Sequence, residues 1–109
     1  MTSMKGLSRS HYCGDVRKKQ VGEEVTLMGW IQRRRDHGGV IFVDLRDRFG
    51  MVQVVFNPEV EEKMFELANE LRKEYVIAIT GEVVARPDGM VNQDLATGEI
   101  EVYANELRI

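Results

Sequence analysis

Along most of this chain apolar and polar residues alternate, and the alternation is interrupted once by a helical period. "EVTLMGWIQRRR" (24–35) is β-branched and aromatic, which predicts a strand. Gly29 inside it predicts a bulge or a sharp bend. "DHGG" (36–39) is a turn signal. "VIFVDLRD" (40–47) has period two: Ile41, Val43 and Leu45 make one face, and Phe42, Asp44 and Arg46 the other. After "RFG", the run "MVQVVF" (51–56) returns. Val52, Val54 and Phe56 share a face, and Gln53 points away from them.

The period then becomes helical. Asn57 is a good N-cap and Pro58 suits the first helical position. Glu59, Glu61 and Glu62 crowd the first turn, where the helix dipole favours negative charge. Val60, Met64, Leu67, Ala68 and Leu71 form one apolar stripe. Arg72 and Lys73 follow near the C-terminal end, matching the dipole. "YVIAITGEVVAR" (75–86) reads as a fourth strand bent at Gly81, 87–98 as a long polar connection, and 99–109 as a fifth strand. Three strands, a helix and two strands is the order of an OB-fold: an all-β, five-stranded Greek-key barrel with one α-helix between strands 3 and 4. In that fold the strand 2–3 face and the loops after strands 1 and 4 bind oligonucleotides. Here those loops are 36–39 and 87–98.

Composition narrows the class. The 109 residues fit one domain. Residues 1–11 read as a polar, mobile leader without an apolar signal core, and residues 12–109 as the barrel. Cys13 is the sole cysteine, so no intrachain disulfide and no cysteine-rich zinc site can form. That fits a reducing, cytoplasmic setting. No run approaches the roughly 20 apolar residues of a membrane span. Net charge is −3 from 15 basic and 18 acidic residues, which argues against a broad nucleic-acid footprint. The acidic residues gather around the helix, however, and arginine gathers in "RRRD" and "LRDR". A local basic site on an acidic domain is the expectation.

Strand parity says what that site holds. Pairing strands 2 and 3 around "DRFG" sets Arg46 against Met51, Asp44 against Gln53 and Phe42 against Val55, all on the outer face. Pairing strand 1 around "DHGG" sets Arg33 beside Phe42, with Arg35 at the rim. An exposed aromatic can stack an unpaired base, an amide can read a base edge, and arginine can fork onto a phosphate or a base. Each residue alone has an ordinary reading. A single exposed Phe is commonly packing under a loop, Gln53 is solvated, "RRRD" is a solvated face, and His37 is a turn residue. Asp44 pairs with a neighbouring arginine, and Trp30 reads as core or barrel-end packing. No paired carboxylates, nucleophile motif, phosphate-cradling loop or metal cluster appears, so an enzyme in its own right ranks last.

The quoted runs, with "YCG" (12–14), "LRKEYVIAITGEVVAR" (71–86) and "NQDLATGEIEV" (92–102), resemble the N-terminal anticodon-binding domain of bacterial-type aspartyl-tRNA synthetase. The resemblance covers nearly the whole chain from Tyr12 onward. It implies a domain that grips the anticodon loop of tRNA(Asp), in a parent that is a class II homodimeric ligase. It implies that Phe42 stacks on the central uridine and that Gln53 reads its edge. Arg33 and Arg35 would contact anticodon bases or phosphates, Arg72 and Arg86 would help hold the stem-loop, Asn92 would lie in the closing loop, and Glu101 near the first anticodon base. "PDGMVN" departs from the family pattern at Met90. It further implies no cofactor in this chain, since ATP and Mg belong with a catalytic domain outside these residues. The alternatives are a generic single-stranded nucleic-acid-binding OB module and a protein-interaction or purely structural barrel.

Overall fold

The computed structural model describes residues 9–59 and 62–109. Five strands are present: β1 (Glu24–His37), β2 (Val40–Asp47), β3 (Gly50–Phe56), β4 (Val76–Ala85) and β5 (Ile100–Arg108). They close into a barrel in the order β1-β2-β3-β5-β4. All pairings are antiparallel except β3 with β5, which is the Greek-key closure of an OB-fold. Helix α1 (Glu62–Ala68) lies between β3 and β4 and packs across β3 and β5.

The alternation read from sequence fills the barrel. Leu27 and Ile31, then Ile41, Val43 and Leu45, then Val52, Val54 and Phe56 are all buried. Ile77, Ile79, Ile100 and Val102 complete the interior. Each such side chain contributes about 1.5–3 kcal/mol by leaving water. Met64 and Ala68 of α1, with Leu71 just beyond it, extend this core. At the β2–β3 turn, a 3-10 turn at Cys13–Asp15 packs against both strands. Ser10 is tied to β1 as well: its N–H donates to the Thr26 carbonyl, and its Oγ accepts from the Thr26 N–H.

Four expectations change. The helix does not start at Pro58; Pro58 and Glu59 sit in a turn, and the Asn57 Oδ1 accepts from the Glu59 N–H as a local Asx turn. Val60 and Glu61, assigned to the helix from sequence, lie outside the described residues. Arg72 and Lys73 fall beyond the helix end, and the cation at that end comes instead from Arg34 of β1. The bulge of β1 lies between Ile31 and Arg33 rather than at Gly29. Gly29 pairs regularly with Ile77, and its missing side chain has a different use. A Cβ there would stand 2.2 Å from the Arg46 carbonyl oxygen. Finally, Trp30 is not core: it is 39% exposed, opposite Val76 and Arg46. Val25, Leu27 and Ile31 own the inward parity, so Trp30 must face out.

Candidate nucleic-acid interface

The outer face of β2 and β3 has the expected register: Phe42 faces Val55, Asp44 faces Gln53 and Arg46 faces Met51. The β1 register differs from expectation. The turn is only Gly38 and Gly39, both at positive φ, so Asp36 and His37 extend the strand. The bulge then adds one residue near Gln32. The short turn sets Arg35, not Arg33, against Phe42, and Arg33 against Asp44, while the bulge shifts only the pairing of Ile31 and Trp30 beyond them.

The three consecutive arginines go to three places. Arg35 turns into the groove beside Phe42, where it donates to the Asp44 carboxylate at 3.2 Å and to the Gln53 Oε1 at 2.9 Å. Arg34 makes a bidentate pair with Asp36, at 2.8 Å for both bonds. Its remaining nitrogen donates to the carbonyls of Ala68, Asn69 and Leu71, where α1 ends. That cation suits the negative end of the helix dipole. The Asp36 bond holds the Arg34 guanidinium above its ordinary pKa, and in return holds the Asp36 carboxyl below its own. Arg33 opens onto a second concavity, of about 700 Å³, with Gln32, Asp44, Met51 and Lys73.

The groove at Phe42 has a volume of about 630 Å³. Its walls are Arg35 to His37 of β1, Val40 and Phe42 of β2, Gln53 and Val55 of β3, Asn57, then Arg86, Pro87 and Met90 after β4, and Glu101 and Tyr103 of β5. Gln53 is the central link. Its Oε1 accepts from Arg35, and its Nε2 donates to the Glu101 Oε1 at 2.8 Å. The chain Asp44–Arg35–Gln53–Glu101 thereby fixes which way the amide points. One N–H and one lone pair of Gln53 remain for a ligand. Glu101 is buried, and the Arg86 Nε donates to the Ile100 carbonyl beside it at 2.9 Å. Burial pulls the Arg86 guanidinium below its ordinary pKa, while the Glu101 carboxylate opposes that pull. Such a group still stays protonated at neutral pH.

Five residues singled out from sequence therefore meet in one groove: Arg35, Phe42, Gln53, Arg86 and Glu101. Arg33 lies in the neighbouring concavity. Asn92 lines neither; its N–H donates to the Gly98 carbonyl and its Oδ1 accepts from the Asp94 N–H, so it shapes the 86–98 loop. Arg72 also lines neither and is exposed. Met90 stands at the groove rim, 66% exposed. Sequence reading missed Tyr103. Burial, and then the Glu101 carboxylate, raise its phenol above the ordinary value. The signal was available, because 101 and 103 share a parity on β5 and Tyr103 pairs with Val55. Tyr12 and Phe49 were also passed over. Their rings meet at 4.2 Å, tilted by 53°, beside the β2–β3 turn, with Arg9 over the first ring and Arg48 over the second. Among the described residues no group of His, Cys, Asp and Glu could hold a metal ion, and no helix is long and apolar enough to cross a membrane.

A half-buried aromatic beside an oriented amide and a guanidinium provides stacking, edge reading and charge in one place. That set suits a few unpaired bases rather than a duplex groove. Comparison with known proteins agrees with the geometry. The tRNA anticodon family model, an OB-fold nucleic acid binding domain, matches residues 25–109. The aspartate–tRNA(Asp/Asn) ligase of Halothermothrix orenii is 61% identical over 107 residues, which are 98% of this chain and 18% of that ligase. The corresponding ligase of Heliobacterium modesticaldum is 61% identical over 102 residues, covering 94% of this chain and 17% of the ligase. The crystal structure of asparaginyl-tRNA synthetase from Pyrococcus horikoshii complexed with asparaginyl-adenylate superposes with a TM-score of 0.77 at 30% identity, over 94% of this chain and 22% of that one. The chain thus spans about a fifth of these enzymes, and the remainder of their length, including their catalytic domain, is not represented in its 109 residues. The chain belongs to the tRNA anticodon family of OB-fold nucleic-acid-binding domains, as the anticodon-binding domain of an aspartyl/asparaginyl-tRNA synthetase.

Proposed function

We propose that the Phe42 groove reads the anticodon of tRNA(Asp), sequence GUC, on behalf of a cytoplasmic, homodimeric aspartate–tRNA ligase. The observation that carries this reading is the bridging of Gln53 between Arg35 and Glu101 beside the Phe42 ring. Phe42 stacks the central uridine. Gln53, held in one orientation, offers its free N–H and lone pair to that base's edge. Arg35 neutralises the adjacent phosphate or forks onto the third base. Glu101, the buried acceptor, faces the donor edge of the guanine, and Arg86 steadies it from the loop side. Arg72 and Asn92 act at a distance from the groove, on the stem and through the loop. No cofactor acts here; ATP and Mg serve the catalytic domain of the ligase.

The relatives' name joins Asp and Asn, whose anticodons GUC and GUU differ only in the last base. The groove's central contacts fall on the shared bases, so we infer modest discrimination between the two. A titration of labelled anticodon stem-loops carrying GUC, GUU or a scrambled loop tests this. Preference for GUC over the scramble, lost in Phe42→Ala, is the expected result. Equal binding of all three with a steep salt slope would overturn it in favour of a generic single-strand binder.

A further inference from the structure

We propose that Tyr103 is a positioning residue for the first anticodon base: its phenol holds the Glu101 carboxylate in the orientation that accepts both edge donors of a guanine. This inference rests on the anticodon reading above. Tyr103 follows Glu101 by two residues on β5, so the two side chains leave the same face of the strand, and both line the groove. The β3–β5 pairing sets Tyr103 beside Val55, which in turn faces Phe42. Phe42, Val55 and Tyr103 thus make one row across the groove, and Gln53 and Glu101 make the next. This placement brings the phenol within hydrogen-bonding reach of the Glu101 carboxylate, which helps to keep the phenol proton in place.

A count of lone pairs says what that contact does. A carboxylate has about four positions that accept a hydrogen bond. The Gln53 Nε2 takes one of them, on Oε1 at 2.8 Å. The Tyr103 O–H takes a second. Two remain, and guanine presents two donors side by side, its N1–H and its N2–H. Adenine presents an acceptor at N1, which a buried carboxylate repels. Direction matters here because the last torsion of a glutamate is broad, so a carboxylate with one partner can turn. Arg86 attracts Glu101, but its Nε donates to the Ile100 carbonyl, so it supplies charge rather than direction. Gln53 and Tyr103 approach Glu101 from neighbouring rows of the sheet, and together they fix it.

The test uses the 109-residue chain and three labelled stem-loops, carrying GUC, AUC or a scrambled loop. The wild type should favour GUC over AUC. Tyr103→Phe keeps the ring and removes only the hydroxyl. It should lower the ratio of GUC to AUC affinity by about three- to tenfold, while AUC binding stays within about twofold of the wild type. Glu101→Gln should lower the ratio at least as far. Adding Tyr103→Phe to Glu101→Gln should lower it no further, because the phenol acts through the carboxylate. Far-ultraviolet circular dichroism of each variant shows that the barrel is retained. An unchanged ratio in Tyr103→Phe, or an equal loss of affinity for GUC and AUC, would overturn the proposal and leave Tyr103 as wall packing. A further drop on the Glu101→Gln background would overturn it too, by setting the phenol directly against the RNA. A wild type that favours GUC over the scramble yet binds AUC equally well would sink this inference and leave the reading of the other two bases standing. Failure of the anticodon reading itself looks different: the wild type would show no preference for GUC over the scramble and Phe42→Ala no effect, and both would then fall.

Discussion

Strand β2 carries one aspartate on each parity, and the two do different things. Asp47 follows Leu45 on the inward face and is buried. Both its oxygens accept from backbone: Oδ2 from the Cys13 N–H at 2.7 Å and Oδ1 from the Phe49 N–H at 2.9 Å. Next to it Gly14 and the β2–β3 turn are in close contact, and a Cβ on Gly14 would stand 2.0 Å from the Phe49 carbonyl oxygen. Asp44 lies on the outward face and bonds to a side chain, Arg35. Beyond it the Gln53 side chain bonds, among the described residues, to the side chains of Arg35 and Glu101. Bonds to backbone fix the path of the chain. Bonds between side chains can be exchanged for bonds to a ligand while every strand stays in place. One end of β2 is therefore committed to the fold, and the other is free to recognise.

The largest effect should come from Asp47→Ala. It strands the Cys13 and Phe49 amides in a buried place, at about 1–3 kcal/mol for each unsatisfied group. We expect a loss of about 2–4 kcal/mol in urea unfolding, with the groove's RNA preference intact in the fraction that remains folded. The same treatment of Gln53→Ala should cost less, about 1–2 kcal/mol, because of its two partners only Glu101 is buried, while Arg35 is part-exposed and keeps Asp44. Equal losses in the two variants would erase the distinction between the ends. The Cys13 thiol belongs with the fold end as well. Burial, and then the Asp47 carboxylate, push its pKa far above the ordinary thiol value, so it should stay unreactive toward alkylating reagents in the native state.

Next in size is Phe42→Ala. Loss of a stacking platform should weaken binding of the GUC stem-loop by about 1–3 kcal/mol, or roughly 5- to 150-fold. Phe49→Ala makes the sharper comparison. Phe49 is more exposed, at 54%, and meets the Tyr12 ring at a tilt beyond the other end of β2. If exposure alone made a platform, Phe49 would matter more than Phe42. We expect its loss to leave GUC binding within about twofold.

These residues also show how much was legible in the sequence. Alternation placed Ile41, Val43 and Leu45 inside and Phe42 and Asp44 outside, and the "DRFG" turn was tight enough to count the β3 register from it. The β1 register was not countable. The turn is two glycines rather than the whole of "DHGG", and this alone moves Arg35 into the place expected for Arg33, while the bulge near Gln32 shifts the pairing again only beyond Arg33. A slip of two residues keeps the face of a strand and changes the residue at each place on it, so the outward parity of Arg33 and Arg35 was legible and their partners were not. Tyr103 and Arg34 were missed for another reason. Val55 beside Tyr103 and the end of α1 beside Arg34 are brought near by tertiary closure and not by any local pattern, and only the shared parity of 101 and 103 on β5 was open to reading.

Arg34→Gln should have a smaller effect and should fall on stability alone. It frees the carbonyls of Ala68, Asn69 and Leu71 and removes a cation from a helix C-terminus, which costs about 1–2 kcal/mol. Its neighbours on the arginine run should behave differently, with Arg35→Gln altering anticodon preference and Arg33→Gln the salt slope. Three adjacent identical side chains giving three different phenotypes would show that backbone position, not residue type, assigns their roles. Three similar losses of affinity would mean that "RRR" acts as one diffuse charge.

The smallest effect lies at the groove's inner wall and is a matter of pH. Burial first, and the Glu101 carboxylate second, hold the Tyr103 phenol above its ordinary value of 10.0. The unfolded chain gives up this proton near that value, while the folded chain keeps it. Above it the native state binds more protons than the unfolded state, so stability must fall as pH rises. The contribution is fully present below the unfolded value and is lost as pH climbs through the folded one. Urea unfolding between pH 8 and about 11 should therefore show an alkaline decline in the wild type that is shallower in Tyr103→Phe. Glu101→Gln separates the two causes: it removes the carboxylate but leaves the burial, so its slope should lie between the other two. A slope in Glu101→Gln equal to that of Tyr103→Phe would make the carboxylate the dominant cause and the recognition end of β2 an electrostatic unit. Identical slopes in all three proteins would mean that Tyr103 is as wet as a surface tyrosine and that the groove's inner wall is open to solvent.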